Sequence, residues 1–203
     1  MNNIPFSTVG LHDDEIDAFL DTYNNLRSKF DASFIDKFDI DFSKFESPKG
    51  YDNHELREVI QLTNAAYIAF VEVSYSYTGS KGARHSKSEF QIWGIARMHN
   101  NFGHLFIKRE GFTEKLLDFI KPMELDFEND REFSKIFYVL AKDKNKATLN
   151  LSQVIRNAIL NCKVKEFSLE ILENTLLIGN SKHINPNEVL DLADFIDTVS
   201  KSR

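Results

Sequence analysis

The sequence is poor in the residues that staple, kink or punctuate a chain. It holds one cysteine, four prolines, eight glycines and one tryptophan in 203 residues. A single cysteine makes neither an intrachain disulfide nor a cysteine-based zinc site. So little glycine excludes a collagen-like repeat, and 42% hydrophobic residues exclude a disordered chain. The longest apolar run, residues 65–71, falls far short of the roughly 18 residues of a membrane span. The opening MNNIPFSTVG has neither the cationic start nor the apolar block of a signal peptide. A lone thiol suits a reducing interior, so the expected setting is cytoplasmic. Reaction-defining motifs are missing too: no Ser elbow, kinase set, dinucleotide fingerprint or H-E-x-x-H helix. Gly79-Ser80-Lys81-Gly82 only superficially evokes a phosphate loop, since no helix follows it.

What is present is phenylalanine, 18 residues of it, and a net charge of −6. Phenylalanine brings apolar area with no polar atom to satisfy, so most of it belongs in a core. A chain of this length buries roughly 70% of its extended surface, enough for one domain without staples. Overall acidity argues against a general binder of nucleic acid or anionic membranes.

Ile16, Phe19, Leu20, Tyr23, Leu26 and Phe30 recur at steps of three and four, which predicts a helix with Asp13, Asp14 and Glu15 at its start. Residues 30–45 fit both a helix and a strand, with a second helix ahead of the breaker Ser47-Pro48-Lys49-Gly50. Asp52 and Glu55 read as a capping box for a helix carrying Leu56, Val59, Ile60 and Thr63. The period then changes to two. Tyr67, Ala69, Val71, Val73, Tyr75 and Tyr77 share one face of a strand, and a turn at 79–82 leads to a second strand over 89–98. That strand is apolar on both faces, so it is expected to be central, with Gly94 marking a bulge or close approach. Residues 99–103 read as a hairpin loop returning into a strand over 104–109. Thr113 caps a short helix. Extended segments at 123–127 and 136–141 flank a helical turn at 130–135. Ser152 caps a helix carrying Ile155, Ala158, Ile159 and Cys162, residues 167–178 form a hairpin, and Asn185-Pro186 opens a last helix. The order predicts an α+β fold: a curved, mainly antiparallel sheet with helices packed on it. The single domain, 1–203, divides into an N-terminal helical arm (1–50) and a sheet-containing body (51–203).

From residue 67 the layout resembles an uncharacterised bacterial family known only as a domain of unknown function. The resembling pieces are YIAFVEVSYSYTG, SEFQIWGIARM, GHLFIKRE, EFSKIFYVLAKDKNKATLNLSQVIRNAIL and SLEILENTLLIG. Trp93-Gly94 stands at the family's aromatic-Gly position. Phe133, Phe137, Ala147, Leu149, Leu151 and Ser152 approximate its later signature. The resemblance covers residues 67–179 and implies a fold; it brings no catalytic residues. Many members carry two membrane helices ahead of the domain, and this sequence has none.

Charge is unevenly spread. Residues 1–60 hold thirteen acids against six bases, whereas residues 78–115 hold seven bases against three acids. Within that basic stretch Arg84, His85, Arg97, His99, His104, Lys108 and Arg109 form a candidate patch for an anion (a phosphate, an acidic peptide or a nucleic-acid backbone such as RNA) or for a partner. On a hairpin, Arg97 and Lys108 would lie close together. Trp93 and Phe102 are placed to stack bases, or to serve as core and rim residues. Three histidines near Glu89 or Glu110 match no strong zinc pattern, and the plain expectation is that they face solvent. The pairs Asp39/Asp41, Glu124/Asp126 and Glu128/Asp130 read as the polar sides of amphipathic strands, not as hydrolytic dyads. Cys162 reads as a buried, inert thiol.

Three functions are therefore open: a non-enzymatic binding or regulatory module, an anion binder using the basic patch, or a metal-dependent enzyme using the histidines. No cofactor or catalytic residue is identified. The expected partner is a protein or a small anionic ligand, with nucleic acid disfavoured. Self-association is a further option, since the acidic first helix opposes the basic hairpin in sign.

Overall fold

The computed structural model describes residues 4–80, 82–109, 123–164, 167–180 and 185–202. The chain runs α1 (Asp13–Arg27), β1 (Ser33–Phe34), β2 (Asn53–Thr63), β3 (Ala66–Thr78), β4 (Arg84–Arg97), β5 (His104–Arg109) and β6 (Met123–Leu125). It continues through α2 (Arg131–Ile136), β7 (Phe137–Ala141), α3 (Lys144–Asn150), α4 (Gln153–Leu160), β8 (Phe167–Leu172), β9 (Thr175–Asn180) and α5 (Val189–Lys201). The strands form one open antiparallel sheet in the order β1-β2-β3-β4-β9-β8-β5-β7-β6. The fold is α+β, as the sequence predicts. Among the described residues no helix is long and apolar enough to cross a membrane.

The two sheet faces are covered differently. On one lie the helices: Phe19 of α1 stacks on Phe70 at 4.0 Å and meets Phe90 edge-on at 5.5 Å. Leu192 and Ile196 of α5 and Ile155 and Ile159 of α4 join the same core. On the other face residues 35–51 cross as an irregular strap. Phe42 and Phe45 pack there against Val71, Trp93, Ile95 and Leu177. Alternation makes this possible, because β3 sends Ile68 and Phe70 to the helices and Ala69, Val71 and Val73 to the strap.

Gly94 is the tightest point. A Cβ there would come within 2.8 Å of methyl groups on both Ile178 and Ile196. This is the close approach expected at that glycine. On the opposite face Trp93 lies over Gly179, its register partner, where a Cβ would meet the indole at 3.2 Å.

Several expectations are corrected. The capping-box helix at 52–63 is the strand β2, paired with β3 from Asn53↔Ser74 to Thr63↔Ala66. Its Val59, Ile60 and Leu62 are all buried, and they divide between the two cores. The second helix at 30–45 is absent: β1 is followed by irregular chain and a 3-10 turn at Phe42–Lys44, and the breaker itself forms the 3-10 turn Ser47–Gly50. Within residues 4–50, α1 packs on one face of the sheet and the strap on the other. Nor do β4 and β5 form a hairpin: β9 and β8 stand between them. The helix α3 carries no expectation from the sequence. Its cap is Asp143, which accepts from the Lys146 N–H at 3.0 Å. The last helix starts later than expected, at Val189, with Asn185 closing a turn onto the Asn187 N–H. The helix expected near Thr113 lies outside the described residues.

A buried ion pair ties α2 to α4. Arg156 donates from Nε to Asp130 Oδ2 at 2.8 Å and from Nη1 to the Leu151 carbonyl, and its guanidinium sits over the Phe127 ring at 4.5 Å. Asp130, expected to be solvated, is buried instead and also caps α2 through the Phe133 N–H. Burial alone would raise its pKa. Hydrogen bonds from Arg156, Gln153 and Phe133 outweigh that and hold it below its ordinary value. Cys162 is buried as expected, and burial pushes its thiol up to about 11.

Two outcomes test this packing. Gly94→Ala is expected to cost about 1–3 kcal/mol in urea unfolding by overpacking; an unchanged midpoint contradicts the close approach. Asp130 has a depressed folded-state pKa, so its stabilisation is complete above the ordinary aspartate value of 3.8 and is lost as pH falls through the lower folded value. The stability gap between the native chain and Asp130→Asn should therefore be full near neutrality and close in acid. A gap independent of pH contradicts the ion pair.

Candidate functional site

The strap face carries most of the polar chemistry of the sheet, because every second residue of β4 points to it. Read from one end, those residues are His85, Lys87, Glu89, Gln91, Trp93, Ile95 and Arg97. The series begins exposed, becomes buried and polar, then apolar, and ends on a cation.

The middle of the series is a hydrogen-bonded chain. Trp93 Nε1 donates to Gln91 Oε1 at 3.0 Å, and Gln91 Nε2 donates to Glu89 Oε1 at 3.1 Å and to Tyr51 Oη at 2.9 Å. Glu89 Oε2 takes Lys87 Nζ at 3.3 Å and Tyr75 Oη at 3.4 Å. The Glu89 carboxylate and the Tyr75 hydroxyl raise the Lys87 pKa. Tyr51 ends the strap, so this chain holds one end of it.

Glu170 of β8 holds the strap further along and is fully buried. Its carboxylate accepts from the backbone N–H groups of Glu46 and Ser47 at 2.9 Å, from Ser47 Oγ at 3.0 Å, and contacts His104 Nε2 at 2.6 Å. Serine, glutamate and histidine meet here, but in an unsuitable order for acyl transfer. A nucleophilic serine needs the imidazole as its base, with the carboxylate behind it. Here the carboxylate lies between the two and is saturated by donors.

Arg97 is the third anchor. It donates from Nη2 to the Asp39 carbonyl of the strap and from Nη1 to Thr175 Oγ1 at 2.6 Å, with its guanidinium over Phe38.

The seven candidate patch residues do not converge. Arg97 and His104 share a row of the sheet through Thr175 and Leu172 but stand three strand spacings apart, roughly 14 Å. His104 is buried, contrary to the expectation that all three histidines face solvent; His85 and His99 are exposed. Lys108 lies further along β5 on the strap face, while Arg109 is on the helix face, over Phe137. Arg84 and His85 lie at the far end of β4, roughly 40 Å along the strand from Arg97. No group of three or more His, Cys, Asp or Glu among the described residues is arranged to hold a metal ion.

At that far end the β3–β4 hairpin outruns its neighbours. The rungs Tyr75↔Lys87, Ser76↔Ser86, Tyr77↔His85 and Thr78↔Arg84 lie beyond the last partner in β2, Asn53↔Ser74, and beyond the last in β9, Trp93↔Gly179. Tyr77 is 50% exposed and stacks on His85 at 5.4 Å. Residues 84–88 are all exposed.

Sequence reasoning missed Glu170, Gln91 and the Arg156–Asp130 pair. Between Leu169 and Ile171, Glu170 has the alternation of a solvated strand face, and only the strap crossing above makes it buried. Comparison with family models, with curated proteins and with solved structures finds no match for this chain.

Removing the central anchor tests the assignment. Glu170→Ala is expected to lower stability by about 3–5 kcal/mol, since it strands His104 and two strap N–H groups. Hydrogen-exchange protection of the Glu46 and Ser47 amides should fall more than that of α5. Equal loss in both places contradicts a role specific to the strap.

Proposed function

We propose that this protein is a non-enzymatic binding module that recognises a protein partner through the projecting end of the β3–β4 hairpin. One observation carries the reading: the buried acid, amide and imidazole groups of the strap face are consumed in holding the strap, whereas the hairpin end presents Tyr77, Arg84 and His85 to solvent. A half-exposed aromatic ring beside Arg84 and Lys87, on a projecting strand pair, has the composition of an interface anchor. A two-stranded ribbon is marginal on its own, so a surface to lie on would stabilise it. The resemblance of residues 67–179 to an uncharacterised bacterial family adds nothing to the chemistry. A lone buried thiol suits the cytoplasm as the place of action.

A phosphate or nucleic-acid site built from all seven basic and histidine residues is not favoured, given their separation, nor is a metal-dependent reaction at His85, His99 and His104.

A photo-crosslinking residue in place of Tyr77, in the full chain expressed in cells, tests the reading. One defined protein adduct, identified by mass spectrometry and lost on adding Arg84→Glu and Lys87→Glu, is expected. The same probe at Leu149, 81% exposed on α3, should give none. Nucleic-acid adducts, or equal yields at both positions, overturn it.

A further inference from the structure

The projecting hairpin end has a free backbone edge. The Gly79 N–H donates to the Ala83 carbonyl at one end of the β3–β4 ladder, and the Arg97 N–H to the Ala65 carbonyl at the other. The register between them runs without a shift. Odd-numbered residues of β4 therefore bond to β3, and even-numbered ones turn their N–H and C=O groups the other way. Over Trp93–Arg97 that outward edge is taken by β9, and the Met98 N–H continues the same parity by reaching the Asn174 carbonyl. At Arg84, Ser86 and Ser88 no described residue bonds to it. Three exposed residues thus leave N–H and C=O pairs open about 7 Å apart, in the lane that β9 fills further along.

Elsewhere the sheet guards its edges. The outer strands β1 and β6 are two and three residues long, and β2 carries a register shift between Leu56 and Glu58. Short and bulged strands discourage a further strand. The β4 edge has neither a register shift nor a proline over residues 84–88, and its guard is charge. Even-numbered residues of β4 point their side chains to the helix face, as Phe90 and Ile92 do further along. At the hairpin end that row consists of the Arg84 guanidinium and the Ser86 and Ser88 hydroxyls, none with a partner among the described residues. The matching row on the strap face is already engaged: His85 stacks on Tyr77, and Lys87 pairs with Glu89. All three unspent side chains can donate hydrogen bonds, and one is cationic. A strand with carboxylates on that face is matched, and a cationic one is repelled.

We infer that the hairpin end takes up its partner by strand addition: an extended segment with carboxylates at alternate positions pairs with β4 over residues 84–88 and sets those carboxylates beside Arg84, Ser86 and Ser88. This rests on the reading of the hairpin end as a protein-recognition element and names the form and chemistry of the segment it takes. The added strand turns a marginal two-stranded end into a three-stranded one.

A synthetic peptide alternating glutamate and valine tests it, by fluorescence anisotropy and hydrogen exchange on the full chain. It should bind at least about tenfold more tightly than its lysine–valine counterpart. In the complex the Ser86 and Ser88 amides should exchange at least about tenfold more slowly, while those of His85 and Lys87, already bonded to β3, change less. Ser86→Pro removes only an outward N–H and should abolish binding. Ser86→Ala keeps the backbone and should weaken it by no more than about threefold. Circular dichroism verifies that the proline variant is folded. N-methylating the peptide tests the same bonds with the protein unaltered: methyl groups on one set of alternate residues should abolish binding, and on the other set should not. Equal affinity for the two peptides, binding that survives Ser86→Pro and both methylation patterns, or protection spread evenly over odd and even amides overturns the inference. If the glutamate peptide does not bind while the probe at position 77 captures a protein, strand addition fails and the recognition reading stands. If neither occurs, both fail.

Discussion

Five rungs between β4 and β9, from Trp93↔Gly179 to Arg97↔Thr175, join two half-sheets into one. On one side lie β1 to β4, on the other β9, β8, β5, β7 and β6. The join is also where the layers come closest. Ile178 and Ile196 crowd the face of Gly94, and Trp93 fills the space above Gly179. A Cβ at Gly94 would fall inside van der Waals contact of both isoleucines, and one at Gly179 would press on the indole. Once this seam is set, α5 has its bed on the helix face, the indole of Trp93 has its place under the strap, and Arg97 reaches Thr175.

The strap depends on that seam for its anchors. Its apolar residues supply area, but its position along the sheet is set by three polar contacts: Arg97 to the Asp39 carbonyl, Glu170 to the N–H groups of Glu46 and Ser47, and Gln91 to Tyr51. Hydrophobic contact is tolerant of sliding, whereas a buried carboxylate facing two fixed N–H groups is not. The charged and polar residues that suggest chemistry in the sequence serve, at these three positions, as registration marks.

The sequence was most legible where periodicity was long and unambiguous. The face of β3, the stripe of α1, the β8–β9 turn at Glu173, with its positive φ, and the central place of β4 all follow from local pattern. The failures have distinct physical causes. In β2, Leu56, Val59 and Ile60 have helical spacing because the register shifts between Leu56 and Glu58, which breaks the two-residue period. In residues 30–45 the phenylalanines at steps of four face different partners: Phe34 lies against Tyr23 on the helix side, and Phe38 against Tyr67 on the other. β4 and β5, adjacent in sequence, are not neighbours because the later β8–β9 hairpin inserts between them, and no local pattern announces such an insertion. Arg97 and Lys108 are thereby separated, and the seven basic and histidine residues form no single patch. Only the Arg84–His85 end remains part of the proposed surface.

The seam also sets an order of events during synthesis. Arg97 and its partner Thr175 are 78 residues apart. At about 5–20 residues per second, β9 leaves the ribosome roughly 4–16 s after β4. Throughout that interval the β2–β3–β4 meander can pair and collapse, because its contacts are local. The edge of β4 that will receive β9 meanwhile presents the unpaired backbone groups of residues 93–97 to the medium. An apolar strand edge of that kind is the usual starting point for pairing with a neighbouring chain. The nascent chain is therefore most vulnerable to aggregation at a strand that ends up deep inside the finished sheet.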